Sequence, residues 1–422
     1  MSCKKNNTDA DCLKRVAIIG GGPAGLMAAE VIRETGIAVD VYEAMPTFGR
    51  KFLRAGLGGL NITHSESFAN FCLRYGERQH NMEAYLHNFP PQVLRNWVHQ
   101  LGIKTFIGSS GRVFPEEMKA APLLRAWLHR LRSSGVNLHA NHRWQGFSEE
   151  GELTISGPDG PFTISPDAVV LALGGASWPQ LGSNGAWVPW LKERGVGIAP
   201  WQSANCGFNV SWSKHIREKF AWCPLKSVAV KFTDISGKCV EKQGEMLISD
   251  YGIEGSLVYS FSKSFRECIN NSGKATFYLD LLPQKDFERV LRELEKPRGS
   301  KSLSRHWQGL GLTGLKAALL YEIVPREKLQ NPRELAQLVK ALPITIDSTR
   351  PLEESISTAG GVCFDSIDER LMIKSMPGIF VAGEMLDWEA PTGGYLLTGC
   401  FATGYQAGKS VKEWLRQSEA SK

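Results

Sequence analysis

A chain of 422 residues, 42% hydrophobic and 22% charged, has room for two or three domains and is too apolar to stay disordered. Its formal charge of +6 is small for this length and its Lys and Arg residues are scattered, which argues for a solvated mixed surface and against a nucleic-acid patch. Nine cysteines without one C-x-x-C pair give no zinc-ligand or dithiol spacing, and the absence of an apolar leader or a long apolar run predicts neither signal peptide nor membrane span, hence a cytoplasmic protein with reduced thiols.

The first element in chain order is Arg15 to Ile19, a short run rich in β-branched residues that suits a strand covered on both faces. Gly20, Gly22 and Gly25 then fill a G-x-G-x-x-G pattern around Pro23 and Ala24. Side chains at these glycines would block a tight turn, the approach of a pyrophosphate, and close helix-on-strand packing. The spacing predicts a helix from Pro23 to Thr35, with free N–H groups and the positive dipole end at the phosphates. A second strand, Ile37 to Tyr42, delivers Glu43 and Ala44 about 20 residues on, where a carboxylate accepts from a ribose hydroxyl. That charge would repel a 2′-phosphate, so FAD or NAD fits better than NADP.

Residues 44 to 66 mix Gly49, Gly56, Gly58 and Gly59 with Arg50, Lys51 and Arg54 and read as neither regular helix nor strand. An ordinary surface loop suits this composition slightly better than a loop beside the nucleotide. Helical spacing follows over 81 to 101, then a strand or turn at Gly111 to Pro115, a helix from Ala120 to Ser133, and a third strand near His139, His142 and Trp144, where structural histidines are the simpler reading. Pro166 to Gly175 is another buried strand, and its closing pair Gly174 and Gly175 suits the carboxyl end of a parallel strand, where ligands of open α/β sheets sit. From 195 to 283 alternating segments suggest an antiparallel sheet or small barrel; 284 to 341 carry helical patterns; Pro343 to Asp347 returns to strand.

The closing motif, 378 to 394, is a strand ending in Gly383 and Glu384, followed by Asp387 and by a helix opening at Thr392, Gly393 and Gly394. Gly and acid at a strand end can meet the ribityl chain or pyrophosphate of a flavin nucleotide, and amides of the new helix can face negative charge on a reduced flavin ring. Small residues Gly399, Ala402, Gly404, Ala407 and Gly408 predict close packing of this helix on the sheet. Together the two motifs favour FAD over NAD as the bound nucleotide. The fold class is therefore α/β: a Rossmann-like FAD-binding domain (1–195 and 350–422) interrupted by a β-barrel domain (196–283 and 342–349) that itself carries a helical insert (284–341).

On the segments GGGPAGLMAA, GRKFLRAGLGGLNIT, GRVFP, VVLALGG, GEMLISDYGIEG, TAGGV and PGIFVAGEMLDWEAPTGGYLLTG, the sequence resembles the YhiN/BaiN-type bacterial flavoproteins, NAD(P)/FAD-dependent oxidoreductases. The resemblance covers nearly the whole chain. It implies that Arg50, Lys51, Gly58, Gly59 and Asn61 lie along the FAD and that the backbone of Trp144 meets adenine. Three segments depart from the pattern: GLGGLN where many relatives have GGGRCN, Gly393-Gly394-Tyr395-Leu396 where many have GGYN, and the altered turn Gly252-Ile253-Glu254-Gly255. They suggest a distinct subgroup.

The function expected from these features is an FAD-binding oxidoreductase moving a hydride between the flavin and a reduced nicotinamide or small organic substrate, with NAD(P)H as a possible electron donor. No metal cluster, cysteine pair or Ser–His–Asp set competes for catalysis, so the catalytic group is unassigned. Tyr395, His64 and Glu384 are acid/base candidates by proximity to the motifs alone, and for His64 a structural role is the simpler reading. Two alternatives stand: an FAD-dependent RNA-modifying enzyme, supported by Lys and Arg in 285 to 305, and a flavin-binding regulatory protein without turnover. Oligomeric state is not legible.

Overall fold

The computed structural model describes residues 13–33, 36–56 and 58–420, the side chains of 419 and 420 apart. The chain divides into two compact units, one ending at Gln202 and resuming at Ser357, the other spanning Ser203–Ile356.

The first unit is built on a five-stranded parallel sheet in the order Ile379–Val381, Ala168–Leu171, β1 (Arg15–Ile19), β2 (Ala38–Glu43), Asn137–Ala140. Ile18 lies in register with Val170 on one side and Val41 on the other, and all three are fully buried, as continuous apolar strands covered on both faces require. The chain leaves β1 towards β2 on one side and later returns to place Ala168–Leu171 on the other. This makes the carboxyl end of β1 a topological switch point, where a crevice opens.

Helix α1 (Pro23–Ile32) follows the glycine turn, and its described part ends three residues before the predicted Thr35, which lies outside the described residues. In the long helix Tyr395–Ala420, Gly404 and Gly408 pack on α1 rather than on the sheet as expected, and Gly399 lies against the Trp388 ring. A Cβ on Gly404 would stand 2.3 Å from the Ala24 carbonyl oxygen, and one on Gly408 would stand 2.7 Å from Val31 Cβ. Behind α1, buried Glu30 pairs with Arg130 at 2.6 Å and accepts from Trp127 Nε1 at 3.2 Å. Trp127, Trp97 and Phe401 complete this part of the core by edge and tilted ring contacts.

The segment expected to be irregular after β2 contains a helix, α2 (Arg50–Ala55). Arg, Lys, Phe, Leu and Ala form helix readily, and the glycines that suggested a loop bound it instead: Gly49 starts it in the left-handed region at φ +64° and Gly56 ends it.

The second unit holds a seven-stranded antiparallel sheet in the order Leu342–Ile346, Ala275–Asp280, Cys223–Thr233, Cys239–Ile248, Gly252–Glu254, Phe208–Asn209, Ser348–Thr349. Its two edge strands follow one another in the chain with only Asp347 between them, so the sheet curls almost onto itself like a barrel. Four α-helices lie between 284 and 341: Phe287–Glu295, Leu303–Gln308, Leu315–Ile323 and Pro332–Lys340. Val290, Leu294, Leu319 and Val339 share one core with Phe277 and Leu279 of the sheet. Among the described residues no helix is long and apolar enough to cross a membrane.

Candidate cofactor site

The glycine turn is shaped by contacts that only glycine allows. A Cβ on Gly20, at φ +109°, would lie 2.2 Å from the Ala172 carbonyl oxygen, and one on Gly25 would lie 2.0 Å from the Gly20 oxygen. Gly22 differs: its φ of −84° suits any residue, and a Cβ there would meet nothing within 4 Å. It faces a cavity of about 380 Å³ lined by Gly20, Gly22, Pro23, Ala24 and the carboxyl ends of β1, β2 and the strands Ala168–Leu171 and Ile379–Val381. No side chain caps α1, and Pro23 contributes no N–H, so the amides of Ala24 and Gly25 stand at the positive end of the helix.

Glu43 closes the turn from the next strand. Its Oε2 accepts from Gly21 N at 2.8 Å and its Oε1 from Met45 N at 2.9 Å, which fixes the carboxylate and leaves two lone-pair positions for ribose hydroxyls. Burial raises its pKa, offset in part by those two amides and by Arg143 and Arg50. Because the folded-state value is raised, the apoprotein loses stability as the pH rises from the ordinary carboxylate range through that raised value, and the cost vanishes only below the ordinary range. Binding has the opposite sign, since only the carboxylate accepts from two hydroxyls. Adenosine-nucleotide affinity should therefore fall, as the solution is acidified, at a pH above the ordinary carboxylate range. Titration by flavin fluorescence quenching checks this, and Glu43→Gln should flatten the profile.

Helix α2 brings the cations. Arg50 and Lys51 both line the cavity. Lys51 Nζ donates to Glu384 Oε2 and to Ser177 Oγ, each at 2.7 Å, and Glu384 Oε1 accepts from Thr358 N at 3.0 Å. Arg50 holds Thr47 Oγ1 through one terminal nitrogen, while its buried Nε has no partner. The far wall is aromatic: Tyr42, His142, Trp144, Trp187 and Trp190, with Trp144 and Trp190 edge-to-face at 4.8 Å. Trp144 Nε1 and Ser183 Oγ are buried there without partners.

The cavity thus gathers Gly20, Gly22, Pro23, Ala24, Glu43, Ala44, Arg50, Lys51, Trp144, Gly174, Gly383 and Glu384 of the predicted set. Sequence reasoning missed Arg143, Gln145, Leu181, Gly182, Ser183, Asn184, Trp187, Trp190 and Cys400. Only the run Gly182-Ser183-Asn184, a polar turn shortly after a glycine-ended strand, carried a readable signal.

The remaining predicted residues do not line the cavity. Gly25 serves packing, and Gly175 makes room for Thr358, whose Oγ1 would be 1.9 Å from an added Cβ. Gly394 lies against the backbone of Thr63, 2.5 Å from Cα for an added Cβ, and Gly393 faces the Tyr395 ring. Gly58 has open space, while Gly59 lies under the tip of Met118. Asn61 donates to the carbonyls of Thr63 (2.8 Å) and Val113 (3.1 Å), and its buried Oδ1 has no partner. Asp387 is paired with Arg78.

One family model matches residues 14–410, described as the HI0933-like protein Rossmann domain. The chain belongs to the HI0933-like family. A curated relative, the 3-dehydro-bile acid delta(4,6)-reductase of Clostridium scindens, is 27% identical over 419 residues, covering 95% of this chain and all of that one. Among solved structures, the 3-ketosteroid-delta4-(5alpha)-dehydrogenase of Rhodococcus jostii RHA1 superposes with a TM-score of 0.52 at 14% identity, over 96% of this chain and 98% of that one. The 3-ketosteroid delta1-dehydrogenase of Sterolibacterium denitrificans gives the same TM-score and identity over 94% and 99%. At this identity the two structures share the fold.

In this HI0933-like chain the residues fit FAD. The helix amides and Arg50 suit a pyrophosphate, Glu43 suits a ribose, and three buried donors, Arg50 Nε, Trp144 Nε1 and Ser183 Oγ, lack acceptors around one cavity. The cofactor is FAD.

The acid/base candidates are all engaged. His64 Nδ1 accepts from Glu66 N at 3.1 Å and its Nε2 lies 2.9 Å from the Ser110 carbonyl oxygen, so both ring nitrogens are engaged. Tyr395 donates to Glu66, and burial together with that bond raises its pKa. Burial pushes Glu66 up, but hydrogen bonds from Arg74 and Tyr395 bring it below the usual carboxylate range. Glu384 is held on both oxygens. His64 and Tyr395 have no proton position left over for a substrate, whereas Glu384 keeps a free lone-pair position on each oxygen.

Proposed function

We propose that the protein is an FAD-dependent oxidoreductase whose substrate is a small, largely apolar molecule with a carbon–carbon double bond conjugated to a carbonyl, the group named in the activity of the Clostridium scindens relative. The observation that carries the reading is the cavity at the switch point of the parallel sheet, where the glycine turn and Glu43 meet. Bound FAD supplies hydride transfer. The chain's own residues bind and orient it: the α1 amides and Arg50 at the pyrophosphate, Glu43 at the ribose, the neutral Lys51–Glu384 pair at the strand end, and the tryptophan wall that excludes water. NADH or NADPH reduces the flavin in this reading. The same reading divides the chain into an FAD-binding domain of 1–195 and 350–422, a barrel of 196–283 and 342–349, and a helical insert of 284–341, and it extends the cofactor site to Gly58, Gly59, Asn61, Gly393 and Gly394.

The RNA-modifying alternative is not favoured. The basic residues of 285 to 305 that supported it are partly taken up within the fold, Lys285 on the Leu310 carbonyl and Lys296 on Glu293. Anaerobic mixing of the holoprotein with NADH and, separately, NADPH should bleach the flavin with one of them. An unbleached flavin with both would remove the nicotinamide link, and with a conjugated enone failing to reoxidise reduced protein it would remove turnover as well.

A further inference from the structure

Helix α2 is tied to three walls of the cofactor cavity. Gly49 N donates to the Gly21 carbonyl at 2.9 Å, in the glycine turn itself. Lys51 Nζ reaches Glu384 and Ser177, each at 2.7 Å. Three residues on, and so on the same helix face, the Arg54 guanidinium lies 4.6 Å from the centroid of the Trp178 ring. Lys51 and Arg54 thus grip two successive residues of the segment between Gly174 and Trp187, which supplies Gly174, Leu181, Gly182 and Ser183 to the opposite wall.

The gripped residues are themselves unusual. Ser177 is fully buried. Trp178 sits in the left-handed region at φ +61°, ψ +57°, where a bulky side chain is strained. The proline that follows, Pro179, disfavours right-handed helix at position 178 but favours extended backbone there, so the local sequence does not account for the left-handed turn. What the strained geometry secures is the ring's place beneath Arg54, beside the Lys51–Ser177 bond.

We propose that the Lys51–Ser177 and Arg54–Trp178 contacts form a clasp that holds the 174–187 segment against α2 and slows release of FAD from the cavity. Arg54, Ser177 and Trp178 are positioning residues: they do not line the cavity and act through its two walls. This rests on the FAD reading of the cavity.

The test is the rate of FAD dissociation from holoprotein, followed as the rise of free-flavin fluorescence after dilution, together with the melting temperature of the flavin-free protein. Arg54→Ala and Trp178→Asn should each speed release by about fivefold, the upper worth of one exposed cation–π contact. Arg54→Lys, which keeps a cation over the ring, should stay within about threefold of wild type. Asparagine tolerates left-handed backbone, so Trp178→Asn should leave the melting temperature of the flavin-free protein unchanged or raised. Ser177→Ala provides a second probe should the tryptophan variant fold poorly. Release within twofold of wild type for Arg54→Ala and Ser177→Ala overturns the clasp, as does faster release that only tracks a lower melting temperature. Wild-type protein that takes up no FAD overturns the cofactor reading itself, and the clasp with it.

Discussion

Gly22→Asp should yield a folded protein that retains no flavin. The backbone at Gly22 suits any residue and its side-chain direction is open, so the substitution meets no steric obstacle within the chain. The position is the N-cap of α1, which has no side-chain cap, and an aspartate there can accept from the first-turn amides. Relative to glycine, itself a tolerated N-cap, that bond is worth a few tenths of a kcal/mol, so the flavin-free variant should melt no lower than the flavin-free wild type. The same carboxylate occupies the place of the pyrophosphate and repels it. Displacing one charge-assisted contact and adding like-charge repulsion should weaken FAD binding by roughly 100-fold or more. Absorbance at the flavin bands of purified protein and a melting curve measure both halves; a yellow, fully loaded Gly22→Asp protein would contradict the site.

Gly404→Ala should act in the opposite way, on the fold before the cofactor. Helix propensity alone predicts a gain of roughly 1 kcal/mol for replacing a mid-helix glycine by alanine. Contact overrules it. The new methyl would stand 2.3 Å from the Ala24 carbonyl oxygen and 2.9 Å from its Cα, and both are backbone of α1 that cannot swing aside. Overpacking of this kind costs about 1 to 3 kcal/mol, so the net effect is destabilising, a lower melting temperature by a few degrees. Since Ala24 lines the cavity, FAD affinity should fall with it. A variant as stable as wild type would show that the two helices separate easily, against the packing described above.

Much of the first unit was readable because its signals are local. Strand β1, the glycine turn and Glu43 lie within one short stretch, and each glycine has a physical demand that sequence spacing expresses. The helix Ala120–Ser133 was readable from its apolar period, and three of the four helices between 284 and 341 likewise, the short helix Leu303–Gln308 being missed. Helix α2 was misread because glycines at both ends looked like loop composition, whereas they fix its limits. The small residues of the last helix were assigned to the sheet, since sequence alone cannot say which neighbour a smooth face meets; Gly404 and Gly408 meet α1. The aromatic wall escaped notice for the same reason. Trp187 caps and Trp190 sits within the short helix Val188–Lys192, too brief to show a period, and only the tertiary fold brings Trp190 to Trp144. Tyr395 and His64 illustrate the converse. Proximity to a motif made them acid/base candidates, yet their hydrogen-bond partners, Glu66 at the end of the segment after β2 and the Ser110 carbonyl in the turn before Arg112–Pro115, are invisible in the motif itself.

The central claim is that the cavity at the carboxyl end of β1 holds FAD for redox chemistry. The measurement that tests it most directly is the absorbance spectrum of purified protein, before and after incubation with FAD, with the flavin released by heat and identified. The account predicts yellow protein showing the two bands of oxidised flavin and releasing FAD in amounts close to equimolar with the chain. Protein that is colourless and stays colourless after incubation with FAD would contradict it.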